Sequence, residues 1–322
     1  MARPLPVAHV ERVLKAIRSS EAASSALAAS WRRSGRLHAL DPATNAPPLR
    51  LSAADVAAAC ERLDRLFSVA QPGLDRLIAA VGGVGCSILL ADRDGVVVGR
   101  RGAPCDDATF ETWGLWTGAV WSEKFEGTNG IGTCLFERRA VTIDRDQHFY
   151  ARNALLTCTT APIYDERGEL AAALDISSCR ADLTEGFARL LATAVSDAAR
   201  AIEAENFRLA FPRARILLAP AGERAGPALL AVDRDDLVVG ATRAARLALG
   251  VNEKTLASPR PAADVMGQSL RESDDIGAAE RAVLQRALAR SGGNVSRAAK
   301  DLNLSRATLH RKIKHWGLDH RG

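Results

Sequence analysis

Side chains able to contact a nucleic acid are concentrated near the C-terminus of this 322-residue chain. Arg and Lys bind phosphates and guanine edges, and Ser, Thr, Asn and His hydrogen-bond to bases or to the sugar-phosphate backbone. The residues expected to contact DNA are Asn294, Ser296, Arg297, Ser305, Arg306, Thr308, His310, Arg311, Lys312 and Lys314. Arg306 and Arg311 are expected to read base edges, and Lys312 is expected to contact phosphate.

The elements that would position these side chains are three short helices. Apolar residues recur at helical spacing up to Gly292-Gly293, which ends a first helix. Asn294 can cap a second helix over about 295–302, and Asn303 tolerates the left-handed conformation of the following turn. Ser305 can cap a third helix, whose inward-facing residues would be Leu309, Ile313 and Trp316. This arrangement predicts a helix-turn-helix with a basic recognition helix.

Positive charge is concentrated in the same region. Residues 278–322 contain ten Lys or Arg and three acidic residues, a net charge of +7. The whole chain carries +5, so the first 277 residues carry −2. Such localised positive charge favours contact with phosphates. The alternative is a solvated basic helical hairpin that does not contact DNA.

The segment GNVSRAAKDLNLSRATLHRKIKHWGL resembles the Fis-type helix-turn-helix that ends many bacterial enhancer-binding regulators. Where such motifs usually carry Gly in the turn, this chain has Asn303, which can meet the same backbone requirement. The resemblance implies sequence-specific DNA binding.

Composition narrows the class of protein. With 47% hydrophobic and 25% charged residues, and no apolar run of membrane-spanning length, the chain is expected to fold as a cytoplasmic globular protein. No cleavable leader is predicted at the N-terminus. The six cysteines stand at positions 60, 86, 105, 134, 158 and 179, with no C-x-x-C pair. They are expected to be reduced thiols, and neither a metal nor a cofactor is expected.

The middle of the chain alternates strands and helices. Two β-rich runs flank Asp92-Arg93-Asp94-Gly95 and two more flank Asp165-Glu166-Arg167-Gly168, which indicates two hairpins. Helices are expected over 8–36 and over 52–69, where Ser52 can act as the cap and the helix ends near Pro72-Gly73. Another helix is expected to follow to about 81, and a long one to run from a cap at Asp182 to about 209. The predicted fold class is α+β, an antiparallel sheet flanked by helices, with an all-α C-terminal domain.

A glycine-rich segment, GLWTGAVWSEKFEGTNGIGTCLFERR, interrupts this pattern. It contains no G-x-x-x-x-G-K-[ST] phosphate loop, and that motif occurs nowhere else in the chain. The glycines could let backbone amides approach a small molecule in a cavity, with tryptophans supplying apolar surface. Equally, the segment could be a structural connection with tryptophans in the core.

WSEKFEGTNGIGTCL, the later Asp146-Gln147-His148-Phe149 and the closing Leu174-Asp175-Ile176-Ser177 resemble the sensory GAF domain of acetoin-catabolism-type regulators. The resemblance implies a ligand cavity over the sheet. The pocket positions that it implies are Trp121, Glu126, Thr128, Asn129, His148, Phe149 and Cys158. His148 could instead be a structural hydrogen-bonded residue, and Cys158 a buried, inert thiol.

The expected domains follow from these segments. They are a helical segment over 1–50, a GAF-like domain over 51–205, a truncated PAS-like segment over 206–250, a flexible linker over 251–277 and the Fis-type domain over 278–322. Within the PAS-like segment, two strands and a helix that ends at Gly250 are expected. Regulators of this resemblance usually carry a central ATPase of the AAA+ class between sensor and DNA-binding end. The absence of a phosphate loop predicts that this chain lacks that domain.

Together these features predict a ligand-responsive, sequence-specific DNA-binding transcription regulator that is not an enzyme and has no ATPase activity. The expected partners are DNA, a small-molecule effector, a second copy of the chain, and RNA polymerase or another regulator, but no membrane. Pairing is expected because one helix-turn-helix makes a small footprint. Two alternatives stay open. One is a thiol redox enzyme that uses Cys86, Cys134 or Cys158, and the other is a DNA-architectural or scaffolding protein that binds no ligand.

Overall fold

A computed structural model describes residues 7–81, 85–180, 182–220, 222, 226–267 and 276–318. The chain divides into two compact units, Met1–Pro259 and Arg260–Gly322. The acidic part of the predicted linker, 272–275, and the last four residues of the predicted DNA-binding domain, 319–322, lie outside the described residues.

A five-stranded antiparallel sheet forms the centre of the first unit, in the order β2-β1-β5-β4-β3. Both predicted hairpins are confirmed, and Gly95 and Gly168 take the positive φ values that their turns require. The α+β class is confirmed as well. The strands are β1 (Cys86–Asp92), β2 (Val97–Gly102), β3 (Val141–Asp144), β4 (Thr157–Tyr164) and β5 (Leu170–Ser178).

One face of the sheet packs against three helices, α3 (Ala53–Leu63), α4 (Arg65–Val81) and α8 (Glu185–Ala210). Ser52 caps α3, as the sequence indicates. The predicted break at Pro72-Gly73 is wrong, because the helix ends at Leu63, and the next begins after Asp64, which has a φ of 48°. Gly73 lies inside α4, where a Cβ would come within 3.0 Å of the Ile202 side chain of α8. Close helix packing therefore outweighs the local helix-breaking signal.

The predicted cap of α8 is also corrected. Thr184 accepts a hydrogen bond from the amide of Phe187, whereas Asp182 forms an ion pair with Arg180. The opposite face of the sheet is covered by α5 (Asp107–Thr112), α6 (Glu123–Glu126) and α7 (Gly130–Glu137).

The predicted single helix over 8–36 is two helices, α1 (Val7–Arg18) and α2 (Ala26–Arg32), followed by a π-helical turn. Ser25 caps α2, which explains why the helix restarts there. Trp31 packs with Phe149 and Tyr150, so this segment forms a separate small core with the connection between β3 and β4.

A second, three-stranded antiparallel sheet follows α8, and it contains β6 (Arg215–Leu218), β7 (Leu229–Val232) and β8 (Val238–Ala241). The predicted PAS-like segment has one strand more than the two expected, because β6 pairs with β7. The sheet is followed by α9 (Arg243–Leu249), which ends at Gly250 as expected. Within the stretch predicted as a flexible linker, α10 (Glu253–Ala257) and α11 (Ala262–Val265) are helical.

The second unit contains α12 (Ile276–Arg290), α13 (Val295–Asp301) and α14 (Arg306–Trp316). Their shared core includes Leu284, Leu288, Ala298, Leu309 and Ile313. Across both units, no described helix combines the length and apolar character needed to cross a membrane. Within the same described ranges, no three His, Cys, Asp or Glu side chains are grouped as metal ligands would be.

Candidate functional site

The glycine-rich segment folds tightly onto the sheet between α6 and α7. Asn129 caps α7 by accepting a hydrogen bond from the amide of Gly132 and donates one to the carbonyl of Gly127, both at 2.8 Å. A Cβ on Gly130 would lie 2.5 Å from the Thr160 hydroxyl and 2.7 Å from Cys158. The backbone at these glycines therefore lies against protein atoms and not against open space. This agrees with the interpretation of the segment as a structural connection.

A chain of buried polar side chains lies on the sheet beneath α7. The Thr160 and Ser177 hydroxyls donate to the two carboxylate oxygens of Asp175, at 2.5 and 2.6 Å. Ser177 also contacts the Cys158 thiol at 3.1 Å, and Nε2 of His148 lies 3.4 Å from that sulfur. Strand register sets this order, since Thr160 faces Asp175 and Cys158 faces Ser177 across β4 and β5.

Burial controls the charge of these groups. It raises the pKa of Asp175 to about 6, although the bonds from Ser177 and Thr160 oppose the shift. It lowers the pKa of His148 to about 4 and raises that of Cys158 well above its ordinary value. The His148–Cys158 contact is therefore a neutral imidazole beside a neutral thiol near pH 7, which is the opposite of an activated cysteine.

Glu126 is held in a second buried cluster. Nη2 of Arg152 donates to both of its carboxylate oxygens, at 2.8 and 2.6 Å, and Arg152 stacks over the Tyr150 ring. Burial raises the pKa of Glu126 to about 7 despite the neighbouring arginine. The carboxylate is thus already fully engaged by protein groups.

Glu123 connects the glycine-rich segment to the N-terminal helices. Arg33 donates from Nε and Nη2 to its two oxygens, at 3.0 and 2.8 Å. Ser30 donates to Glu123 at 2.5 Å and contacts the Thr128 hydroxyl at 2.7 Å. Only 4% of the Glu123 side chain is exposed, so α2 and the following turn complete a buried ionic contact.

The residues expected to form the ligand pocket are all buried, and the structure distributes them among several contacts. His148 and Cys158 meet directly, Glu126 faces Arg152, Asn129 caps a helix, and the Trp121 indole donates to the carbonyl of Gly114. Thr128 lines an open cavity of about 220 Å³ between α2 and β3. Other walls of this cavity are Leu27, Ser30, Thr133, Glu137, Arg139, Thr142, Ile143 and Gln147.

Sequence reasoning did not select Ser30, Arg33, Thr160 or Asp175. Asp175 lies in the motif that resembles the GAF domain, and a carboxylate in a largely buried strand with no other charged side chain was an available signal. Ser30 and Arg33 lie about ninety residues before the groups that they contact, and no local pattern marks such a pair.

The helix-turn-helix presents a polar face around α14. Asn294 caps α13 by accepting from the amide of Arg297 at 3.1 Å, and Ser305 caps α14 by accepting from Thr308 at 3.0 Å. Asn303 takes the left-handed conformation, with a φ of 54°. Of the residues expected to contact DNA, those with exposed positions are Asn294, Ser296, Arg297, Ser305, Arg306, His310, Arg311 and Lys314.

Two of the expected DNA contacts are partly covered. Thr308 is half-buried beside Ser305, and Lys312 forms an ion pair with Glu280 of α12. Glu280 also accepts a hydrogen bond from the Trp316 indole at 3.0 Å. Lys312 and Trp316 thus tie α14 to α12.

Two family matches agree with these two parts of the chain. Residues 276–316 match the Fis family of bacterial regulatory proteins, and residues 66–202 match the GAF domain. Both domain resemblances expected from the sequence are confirmed.

Two curated relatives are regulators. The chain is 37% identical over 243 residues to the acetoin catabolism regulatory protein of Cupriavidus necator, covering 74% of this chain and 36% of that protein. It is 31% identical over 173 residues to the acetoin dehydrogenase operon transcriptional activator AcoR of Bacillus subtilis, covering 54% of this chain and 28% of that protein. The chain therefore spans about a third of the length of these relatives.

A solved structure supports the fold. A chain in the crystal structure of the E. coli DhaR(N)–DhaL complex matches with a TM-score of 0.52 and 15% identity, over 74% of this chain and 80% of that one. At this identity the match concerns the fold alone.

Proposed function

We propose that this chain, which carries a GAF domain and a Fis-type helix-turn-helix and is similar to acetoin-catabolism regulators, is a ligand-responsive, sequence-specific DNA-binding transcription regulator. It acts without catalysing a reaction and without an ATPase of its own, through occupancy of its DNA site. The 73 residues between the two family matches contain no phosphate loop.

The geometry of α14 carries the proposal. Its apolar residues Leu309 and Ile313 are buried against the two preceding helices, while Arg306 and Arg311 are exposed. A capped basic helix with its polar face free is the arrangement that reads bases in a major groove. One such helix makes few contacts, so a homodimer that places two of them on one operator is part of the proposal. RNA polymerase or another regulator is the proposed downstream contact.

For the sensory domain, we propose that a small-molecule effector binds on the α7 side of the sheet. The residues proposed to line this effector site are Trp121, Glu126, Thr128, Asn129, His148, Phe149 and Cys158. They are closely packed, so an effector there would displace a well-packed polar layer, whereas the cavity between α2 and β3 offers open space. Coupling to DNA binding then requires that the effector has different affinities for the DNA-competent and DNA-incompetent arrangements.

The thiol redox alternative gains no support from the cysteine environments. Burial raises the pKa values of Cys86, Cys134 and Cys158, which disfavours the thiolate that such chemistry needs. A scaffolding protein without a ligand remains the second candidate. A ligand that binds the folded state raises the midpoint of thermal unfolding by mass action, and a scaffold would show no such shift with any metabolite.

Genome-wide mapping of bound DNA sites tests the proposal. A small set of enriched sites sharing one sequence, with purified protein binding that sequence at least about a thousandfold more tightly than unrelated DNA, is the expected result. Absence of enriched sites, or equal affinity for all DNA, would overturn sequence-specific regulation.

A further inference from the structure

An open cavity on the α8 side of the GAF sheet has three arginines in its lining. It has a volume of about 240 Å³ and lies between β4, α8 and α9, next to the end of α7. It is separate from the cavity between α2 and β3 and shares no lining residue with it. No part of the proposed DNA-binding mechanism uses it.

Three arginines line it, Arg138, Arg200 and Arg243, together with one acidic residue, Glu203. Within the described ranges, neither Arg138 nor Arg243 forms an ion pair, and Arg200 is bound to Asp197 at 3.6 Å. Its lining therefore carries an excess of positive charge, and two of its arginines form no ion pair with the described residues. Arginine is the side chain best suited to carboxylates and phosphates, because its planar group can donate two parallel hydrogen bonds.

Local contacts order the side chains of Arg243 and Glu203. Tyr164 donates its amide to Glu203 at 2.8 Å and its hydroxyl to the carbonyl of Arg138 at 2.8 Å. The Arg243 guanidinium stacks over the Tyr164 ring at 4.4 Å. Tyr164 thus orders both ends of the cavity and limits the motion of Arg243, which reduces the entropy lost when an anion binds.

The remaining lining is apolar, from Ala140, Ala161, Pro162, Ala199 and Leu247. Cavities for drug-sized ligands measure roughly 300–1,000 Å³, so this one suits a compact molecule. We propose that it is a binding site for a small carboxylate or phosphate anion, held by Arg138 and Arg243 and positioned against this apolar wall. The site joins the GAF sheet to the segment that follows it, and it is independent of the proposed effector site.

Calorimetric titration of the full chain with butyrate, inorganic phosphate and uncharged butyramide, at constant ionic strength, tests this proposal. Butyrate or phosphate should bind. Arg138→Gln and Arg243→Gln should each lower the affinity for that anion by about tenfold or more, which is the loss expected for a charge-assisted hydrogen bond. Arg243→Lys, which keeps the charge, should recover part of the affinity. Preference for butyrate identifies a carboxylate ligand, and preference for phosphate identifies a phosphorylated one.

Arg76→Gln is the matched control, because Arg76 is exposed on α4 and lies outside the cavity. It should leave anion binding unchanged. The proposal is overturned if neither anion binds at millimolar concentration, if butyramide binds as tightly as butyrate, or if both glutamine variants bind like the wild type. Circular dichroism checks that each variant is folded. If Arg243→Gln fails to fold, the result is decided by Arg138→Gln, because Arg138 is exposed and its replacement should not disturb folding.

Discussion

Arg33 donates two hydrogen bonds to the buried carboxylate of Glu123, across ninety residues of sequence. This contact anchors the N-terminal helices to the same short segment that caps α7 against the sheet. A displacement of that segment would therefore act on α2 directly through this ion pair.

We expect Arg33→Ala to destabilise the protein by about 3–5 kcal/mol, because it leaves the Glu123 carboxylate buried without its partner. Residues 7–37 should then exchange amide hydrogens faster than in the wild type, as measured by mass spectrometry. Arg36 is exposed and provides the control. Arg36→Ala should change the free energy of unfolding by no more than about 0.5 kcal/mol and should leave the exchange rates of residues 7–37 as in the wild type. An unchanged free energy of unfolding for Arg33→Ala would show that the pair contributes nothing.

Asp175 should make stability fall as the pH rises. Its pKa is raised from an ordinary 3.8 to about 6 in the folded protein, so the folded state keeps a proton that the unfolded state loses. Between these values the free energy of unfolding should decline by about 2–3 kcal/mol on account of this group. Asp175→Asn should lack this part of the pH dependence. Denaturant unfolding of both proteins between about pH 4 and pH 6 measures the difference between their free energies of unfolding. A difference that does not change with pH would show that Asp175 has the same pKa in the folded and unfolded states, and would contradict the prediction.

The six thiols should differ sharply in reactivity. Cys105 is exposed, whereas Cys86, Cys134 and Cys158 are buried with raised pKa values. With Ellman's reagent, Cys105 should react first, and the three buried thiols should react only as the protein unfolds. Cys105→Ser should remove the fastest phase. A fast phase that instead disappears in Cys158→Ser would revive the thiol redox hypothesis.

On the DNA side, Arg306→Ala and Arg311→Ala should each weaken operator binding by about 1–3 kcal/mol and alter sequence preference. Lys314→Ala, at another exposed position of α14, should weaken all sequences alike and reduce the salt dependence by about one counterion. Binding to a panel of operator variants at several salt concentrations separates the two effects. If the double arginine variant binds normally, α14 is not the recognition helix.

Anion binding at the arginine-lined cavity should depend on pH through Glu203. Burial raises its pKa to about 7, and the charged groups that face it are Arg200 on its own helix and Arg243 on α9, with Tyr164 on β4 donating its amide. Above that pH the ionised carboxylate repels an anion, so the affinity for butyrate should fall as the pH rises through about 7. Glu203→Gln should keep the higher affinity throughout. Parallel pH profiles for both proteins would contradict a role for Glu203.

Local signals were enough to define much of this protein. Gly292-Gly293, Asn294, Asn303 and Ser305 act through the backbone next to them, and the predicted helix-turn-helix agrees with the structure. The Asp92–Gly95 hairpin was predictable for the same reason, since its Asp side chain and its Gly both act within the turn itself.

The tertiary structure decided what depends on partners distant in sequence. α4 continues through Pro72, and the adjacent Gly73 packs against Ile202 of α8. The cap of α8 at Thr184 is by contrast a local outcome, since Asp182 pairs with Arg180 two residues away. Above all, only the fold brings Arg33 to Glu123. The sequence by itself determined the two kinds of domain and their order, because capping, turns and periodicity are short-range. The buried polar clusters and the arginine-lined cavity arise from strand register and helix packing, which join residues that no local pattern connects.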